Sequence, residues 1–279
     1  MTILFGVIVG LALGLTGGGG SILAVPLLIY GLGLGAKAAV STSLAAVAIT
    51  AAVGATDAMR AGLIETRVAL IFAATGMLAA PAGVLIGGTV SDAVIIIGFA
   101  LLMLAVGMRM FLRARSQPEE SGVVRAGLSA ATGLIGGGAV CRYSDDGVLR
   151  LNAPCSAALA AIGLIVGFLS GFFGVGGGFL IVPALLLVTQ MSIHRAVATS
   201  LLVITLIGIS GVGAAIFTGR ELPWAITGLF VLGGIVGMFM GRRLAARLAG
   251  PVLQQVFAIG IVLMGSAMLV AHWLGAGIG

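Results

Sequence analysis

The chain has 279 residues, of which 60% are hydrophobic and only 8% charged, with a formal net charge of +6. A soluble domain carries about 25% charged residues, so this composition excludes a water-solvated fold and makes lipid the solvent. The basic excess forms no dense patch with interleaved aromatics, which excludes a nucleic-acid partner and fits the cationic bias of one side of a membrane protein.

Helices alone fit this solvent. Hydrocarbon offers no partner to unpaired backbone groups, and the alternating pattern of a membrane β-barrel is absent. The N-terminal run "MTILFGVIVGLALGLTG" has no basic leader and recurs inside the chain, so it reads as structure rather than as a signal peptide. It breaks at "LTGGGGSILAVP", residues 15–26. Bilayer-spanning runs follow at 38–59, 68–90 and 93–112. A polar centre carries "RSQPEESGVVR" and then "AGLSAATGLIGGGAV", a 15-residue apolar piece expected to lie at the surface or to be re-entrant. Next comes "CRYSDDGVLRL", with a turn signal at Ser144 and Gly147. Cys141 and Cys155 are not at CxxC spacing and have no His cluster beside them, so they read as two free thiols. A second break, "FFGVGGGFLIVP" at 172–183, precedes runs at 197–217, 224–240 and 252–273. Trp224 and Trp273 read as interface anchors.

The two breaks belong to a repeat. Shifted by 157 residues, 10–44 lies over 167–201 with 14 of 35 positions identical and no gap. Gly6, Gly10 and Gly14 fall on Gly163, Gly167 and Gly171, a GxxxGxxxG ladder of the kind that lets helices approach closely in lipid. The organisation expected is a first transmembrane repeat at 1–113, a cytoplasmic connector at 114–150 and a second repeat at 151–279. Each repeat is a glycine-broken, re-entrant helical hairpin followed by three spanning helices. Arginine sets the orientation. If the broken segment turns back at its glycines, the repeats are inverted, and 12 of the 14 Lys/Arg residues lie on the connector side, leaving only Lys37 and Arg220 opposite. If it crosses straight through, the split is nine to five. The positive-inside rule favours the first arrangement, with both termini outside.

The recurring chemistry is a glycine run, a proline and a hydroxyl pair. Glycine permits positive φ and bares backbone N–H groups, and successive N–H groups can form an anion-binding concavity. Gly17, Gly19 and Gly20 in the first copy match Gly174, Gly176 and Gly177 in the second, while Gly18 and Ser21 stand where the second has Val175 and Gly178. Thr42 and Ser43 match Thr199 and Ser200, with Ser41 standing where the second copy has Ala198, near the expected start of a spanning helix where free N–H groups remain. Together they suit a small tetrahedral or pyramidal oxyanion near the midplane. The competing reading is helix packing by glycine and back-bonding by the hydroxyls. Lys37, His194 and Arg195 are candidate anion-attracting charges at the two mouths. No carboxylate lies deep in a span, and no cofactor or metal is expected.

"GLTGGGGSILAVPLL" and "GFFGVGGGFLIVPALL", each followed by "TSL" at 42–44 and 199–201, resemble the TauE/SafE family over nearly the whole chain. That resemblance implies a membrane transporter exporting sulfite or a simple organosulfonate. It leaves open an importer of a related anion such as thiosulfate, a non-transporting scaffold, and a homo-oligomer. An enzyme is disfavoured, since no nucleophile–base pair, HExxH or buried carboxylate couple is present, and no GxxxxGK[ST] loop for ATP occurs.

Overall fold

A computed structural model describes residues 1–116, 142–143, 149–150, 152–189, 191–220, 222–245 and 250–273. Among these the chain forms ten α-helices. They are α1 (Thr2–Thr16), α2 (Gly20–Pro26), α3 (Ala36–Arg60), α4 (Thr66–Thr89), α5 (Asp92–Ser116), α6 (Ala153–Phe173), α7 (Gly178–Val188), α8 (Ile193–Phe217), α9 (Trp224–Ala245) and α10 (Gly250–Trp273). A two-residue antiparallel ladder, β1 (Arg142–Tyr143) on β2 (Leu149–Arg150), departs slightly from an all-helical chain. It flanks the polar stretch that carries the turn signal. The apolar piece at 126–140 lies outside the described residues.

Five helices are long and apolar enough to cross a bilayer among the described residues: α3, α4, α6, α8 and α9. Their outward faces are apolar, with Leu78, Ile165 and Leu232 all at least 60% exposed. Such surface belongs against lipid. Trp224 and Trp273 are exposed at helix ends, as interface anchors require.

Each broken hairpin stops for a local reason. The 15 residues of α1 make about 22 Å of helix, short of the roughly 30 Å hydrocarbon core. Gly17 ends it in the left-handed region at φ 73°, donating its N–H to Leu13 O at 2.7 Å. The Thr16 hydroxyl donates to Ala12 O (2.7 Å) and accepts the N–H of Gly19 (2.8 Å), linking the end of α1 to the start of α2. Pro26 has no N–H to donate, and the helix widens there into a π turn, Leu27–Gly31. In the second copy Gly174 ends α6 at φ 70°, its N–H on Ser170 O at 2.9 Å.

Packing exchanges the halves. α1 lies on α9, α6 on α4, α3 on α8 and α5 on α10. The 157-residue shift turns the first of these pairs into the second. The glycine ladders make the contacts: a Cβ on Gly10 would sit 1.9 Å from Gly234 O, and one on Gly167 would sit 2.4 Å from Gly76 O. Along α1, Gly6, Gly10 and Gly14 meet Phe230, Gly234 and Met238 in turn, so α1 and α9 run parallel. By the same test α3 is parallel to α9, through Thr50 at Gly234 and Gly54 at Met238. α6 and α8 are both parallel to α4, through Gly163 at Phe72, Gly171 at Ala80, Gly76 at Ile207 and the Ser210 hydroxyl on Met77 O. α3 and α8 oppose one another, with Gly54 at Leu201, Ala48 at Gly208 and Leu44 at Gly211. Since α1 and α3 point the same way, α2 must return between them, as must α7 between α6 and α8.

Cys155 is disulfide-bonded, which corrects the reading of two free thiols. Neither spacing nor composition signals such a bond, because it depends on which backbone segments fold together. Cys141 lies outside the described residues.

Candidate functional site

The two glycine turns meet. A Cβ on Gly18 would lie 2.1 Å from Gly178 O, and one on Gly178 would lie 2.7 Å from Gly18 Cα. Around them the helices of opposite repeats close in. Gly17 abuts Val197 of α8, and its mate Gly174 abuts Val40 of α3. Gly176 rests on Val47 and Ile204.

The turns differ in how they use glycine. In the second, Gly174, Gly176 and Gly177 all have positive φ; in the first, only Gly17 does. Gly19 is helical at φ −67°. Gly18 and Gly20 are there for space, a Cβ on Gly20 falling 2.2 Å from Val9 O. Turn 1 also spends N–H groups on itself: those of Gly17, Gly19 and Ser21 go to Leu13 O, Thr16 Oγ1 and Gly18 O.

Every hydroxyl singled out from the sequence is buried. Ser21, Ser41, Thr42, Ser43, Thr199 and Ser200 each expose at most 1% of their surface. Their bonding differs. Ser21 donates to Gly18 O (2.7 Å) and Ser41 back to Lys37 O (3.1 Å). Ser200 donates to Gly17 O of the other repeat (2.9 Å), sharing the proton with Val197 O of its own helix (2.7 Å). Thr199 Oγ1 accepts the backbone N–H of Glu65 at 3.1 Å. Thr42 Oγ1 and Ser43 Oγ have no hydrogen-bond partner. Ser170 Oγ, which the sequence did not flag, is a third buried hydroxyl without a partner; it lines an apolar crevice with Leu102, Phe173 and Phe179.

One expectation shifts. α3 starts at Ala36 and α8 at Ile193, so both Thr-Ser pairs lie in the second helical turn. Only the first four N–H groups of a helix lack an internal partner. Thr42 and Thr199 therefore offer hydroxyls and no free helix-start N–H groups.

Among the described residues, charge is kept to the ends. Lys37 pairs with Asp92 at 3.9 Å at one end. At the other, Arg195 of α8 pairs with Glu65 and Arg242 of α9 with Asp57, each pair joining the two repeats. His194 is exposed beside them. Arg220 donates to Val84 O beside Gly87 and Gly88, and burial lowers its pKa.

A lipid-facing helical bundle in which two broken hairpins meet back to back, with polar groups buried at their junction, defines a repeat-built membrane transporter. The pattern of the family described as "Sulfite exporter TauE/SafE" matches residues 2–268. The chain belongs to that family and is a multi-pass protein of the cell membrane. It is 34% identical to a "Probable membrane transporter protein" of Xylella fastidiosa strain Temecula1, over 98% of this chain and 95% of the relative. It is 24% identical to the "Probable membrane transporter protein YunE" of Bacillus subtilis, over 96% of each chain. A segment of 49 residues, 18% of each chain, is 51% identical to the "Probable membrane transporter protein MJ0441" of Methanocaldococcus jannaschii. No solved structure matches the chain.

Proposed function

We propose that the chain exports a small sulfur oxyanion, sulfite or a simple organosulfonate, by alternating exposure of a site between two inverted repeats. The observation that carries this reading is a pair of fully buried hydroxyls without partners, Thr42 and Ser43, on α3 within a turn of Val40, which Gly174 of the second glycine turn abuts. A buried polar group without a partner costs about 1–3 kcal/mol, and an oxyanion offers the acceptors that would offset it. The family supports the substrate class. The opposed run of α3 and its repeat mate α8 supports inversion. Both hydroxyls are closed off from solvent, as an occluded site requires, and no protein chemistry other than binding is needed there.

Direction rests on arginine. Twelve of 14 basic residues share the connector side under inversion, which favours a cytoplasmic connector. The interior-negative potential then drives anions outward, a dianion gaining roughly 5 kcal/mol per 100 mV. One observation favours the opposite orientation, and with it import of an anion such as thiosulfate: the disulfide at Cys155, a bond that persists on the oxidising side of a membrane. The close glycine packing is what a non-transporting scaffold would also use.

Proteoliposomes decide between these. Purified protein should release entrapped labelled sulfite when an interior-negative potential is imposed. Flux of thiosulfate in its place would move the reading to the related anion. Absence of flux for sulfite, thiosulfate and methanesulfonate alike would return the chain to the scaffold class.

A further inference from the structure

Thr42-Ser43 and Thr199-Ser200 are the same dipeptide at the same place in the repeat, yet the structure uses them differently. Ser200 reaches Gly17 O in the opposite hairpin, and Thr199 accepts the N–H of Glu65 in the opposite α3–α4 loop. The 157-residue shift gives the counterpart of each bond. Ser43 should reach Gly174 O, because Gly174 abuts Val40 just as Gly17 abuts Val197. Thr42 should accept the N–H of Leu222, the mate of Glu65. Neither bond is made, and both hydroxyls are wholly buried with no partner.

We propose that the two pairs have divided labour. Thr42 and Ser43 are the hydroxyls that receive the oxyanion, while Thr199 and Ser200 form a strut holding α8 to the first repeat. This inference rests on the transport reading above. It replaces a symmetric site, in which both copies bind, with one built on the first repeat. The chemistry agrees with the division. A hydroxyl that donates to a carbonyl has no proton left for an anion, and Ser200 has given its proton to Gly17 O and Val197 O; Thr199 keeps its proton but is held in place by the Glu65 N–H it accepts. Thr42 and Ser43 each keep a donor. The strut also has a distinct mechanical position. Glu65, whose N–H meets Thr199, carries the carboxylate that pairs with Arg195 one helical turn away on α8. Loop α3–α4 is thereby fixed to α8 at two points, one inside the bundle and one at its end.

The test compares two double variants by thermal stability in detergent, with and without sulfite, and with sodium chloride at equal ionic strength as control. Thr42→Val with Ser43→Ala removes two donors without partners at nearly constant volume. Its melting temperature without ligand should equal or exceed that of the wild type, because nothing is left unpaired. Its stabilisation by sulfite should vanish, since losing even one hydrogen bond to a charged group weakens binding about tenfold or more. Thr199→Val with Ser200→Ala breaks two bonds between repeats. Its melting temperature should fall by several degrees, or the protein should fail to fold, and where folded it should still be stabilised by sulfite. Thr42→Ser, which keeps the hydroxyl, should retain the response. Stabilisation by sulfite that survives loss of Thr42 and Ser43 would overturn the division, as would its loss in a well-folded Thr199/Ser200 variant, or misfolding of the Thr42/Ser43 variant. A wild type that responds to no sulfur oxyanion would overturn the transport reading along with it, and so is distinguishable from failure of the division alone.

Discussion

Gly18 and Gly178 touch backbone to backbone, a Cβ on the first falling 2.1 Å from the carbonyl oxygen of the second. They are not repeat mates. Gly18 stands where the second copy has Val175, and Gly178 stands where the first has Ser21. The two positions at which the glycine runs differ are thus the positions that meet, and the departures from symmetry make the contact.

Substitution at that contact should therefore act on the fold. Gly18→Ala and Gly178→Ala each force two backbones apart, and overpacking of this kind typically costs about 1–3 kcal/mol or more. Gly213→Ala and Gly228→Ala are the controls, because each would place its methyl in open space within a helix. There alanine gains up to about 1 kcal/mol of helix propensity. Melting temperatures should fall for the first two and hold or rise for the second two. Equal behaviour of all four would show that the turns do not interlock.

Arg220 should matter more than an ordinary loop arginine. It donates to Val84 O near the C-terminal end of α4, where a cation also complements the helix dipole. Arg220→Ala should lower the melting temperature, and Arg220→Lys should restore only part of it, since an ammonium cannot reproduce the planar fork. Full restoration by lysine would leave charge alone as its role.

The ion pair of Glu65 with Arg195 is part-exposed, with Arg195 43% accessible. Such pairs contribute about 0–1 kcal/mol. Glu65→Gln keeps the backbone N–H that meets Thr199, so its stability should stay close to wild type, and the small difference should shrink at high salt. A large, salt-independent loss would mean that the carboxylate has a buried role.

Lys37 faces Asp92 loosely at 3.9 Å. If its charge draws anions to the mouth, Lys37→Gln should weaken apparent transport affinity at low ionic strength and match wild type in physiological salt, where screening acts over about 8 Å. An unchanged salt dependence would make it a membrane anchor.

Orientation can be read directly. In a background without Cys141 and Cys155, Ser116→Cys should be shielded from an impermeant thiol reagent in intact cells, and Ser266→Cys serves as the comparison site toward the terminal side. Labelling of Ser116→Cys from outside would place the connector on the oxidising side that the disulfide favours.

What the sequence made legible was whatever depends on period and repetition. The 157-residue self-match located both hairpins, and the glycine ladders announced close helix contacts. The identity of the partners was hidden. Nothing local says that the ladder at Gly6, Gly10 and Gly14 faces α9, more than 200 residues away, rather than a neighbour in its own half. The ion pairs were hidden for the same reason, Arg242 lying 185 residues from Asp57. At the site, identical Thr-Ser pairs could not disclose that one is bonded and the other is not, because that depends on sub-ångström placement of another segment. A glycine run in a sequence points equally to bared N–H groups and to close approach, and at Gly18 and Gly20 the space a side chain would fill is what the fold uses.

The exchange of α1 and α9 between halves bears on how the protein is made. α1 reaches the bilayer long before α9, which begins at Trp224, has left the ribosome. Until then the glycine stripe of α1 has no mate, and lipid must cover it. Neither half can complete its core alone, so the first repeat should be a poor substrate for independent production and a ready target for quality-control proteases. Supplying the second repeat in the same cell as a separate polypeptide should protect it.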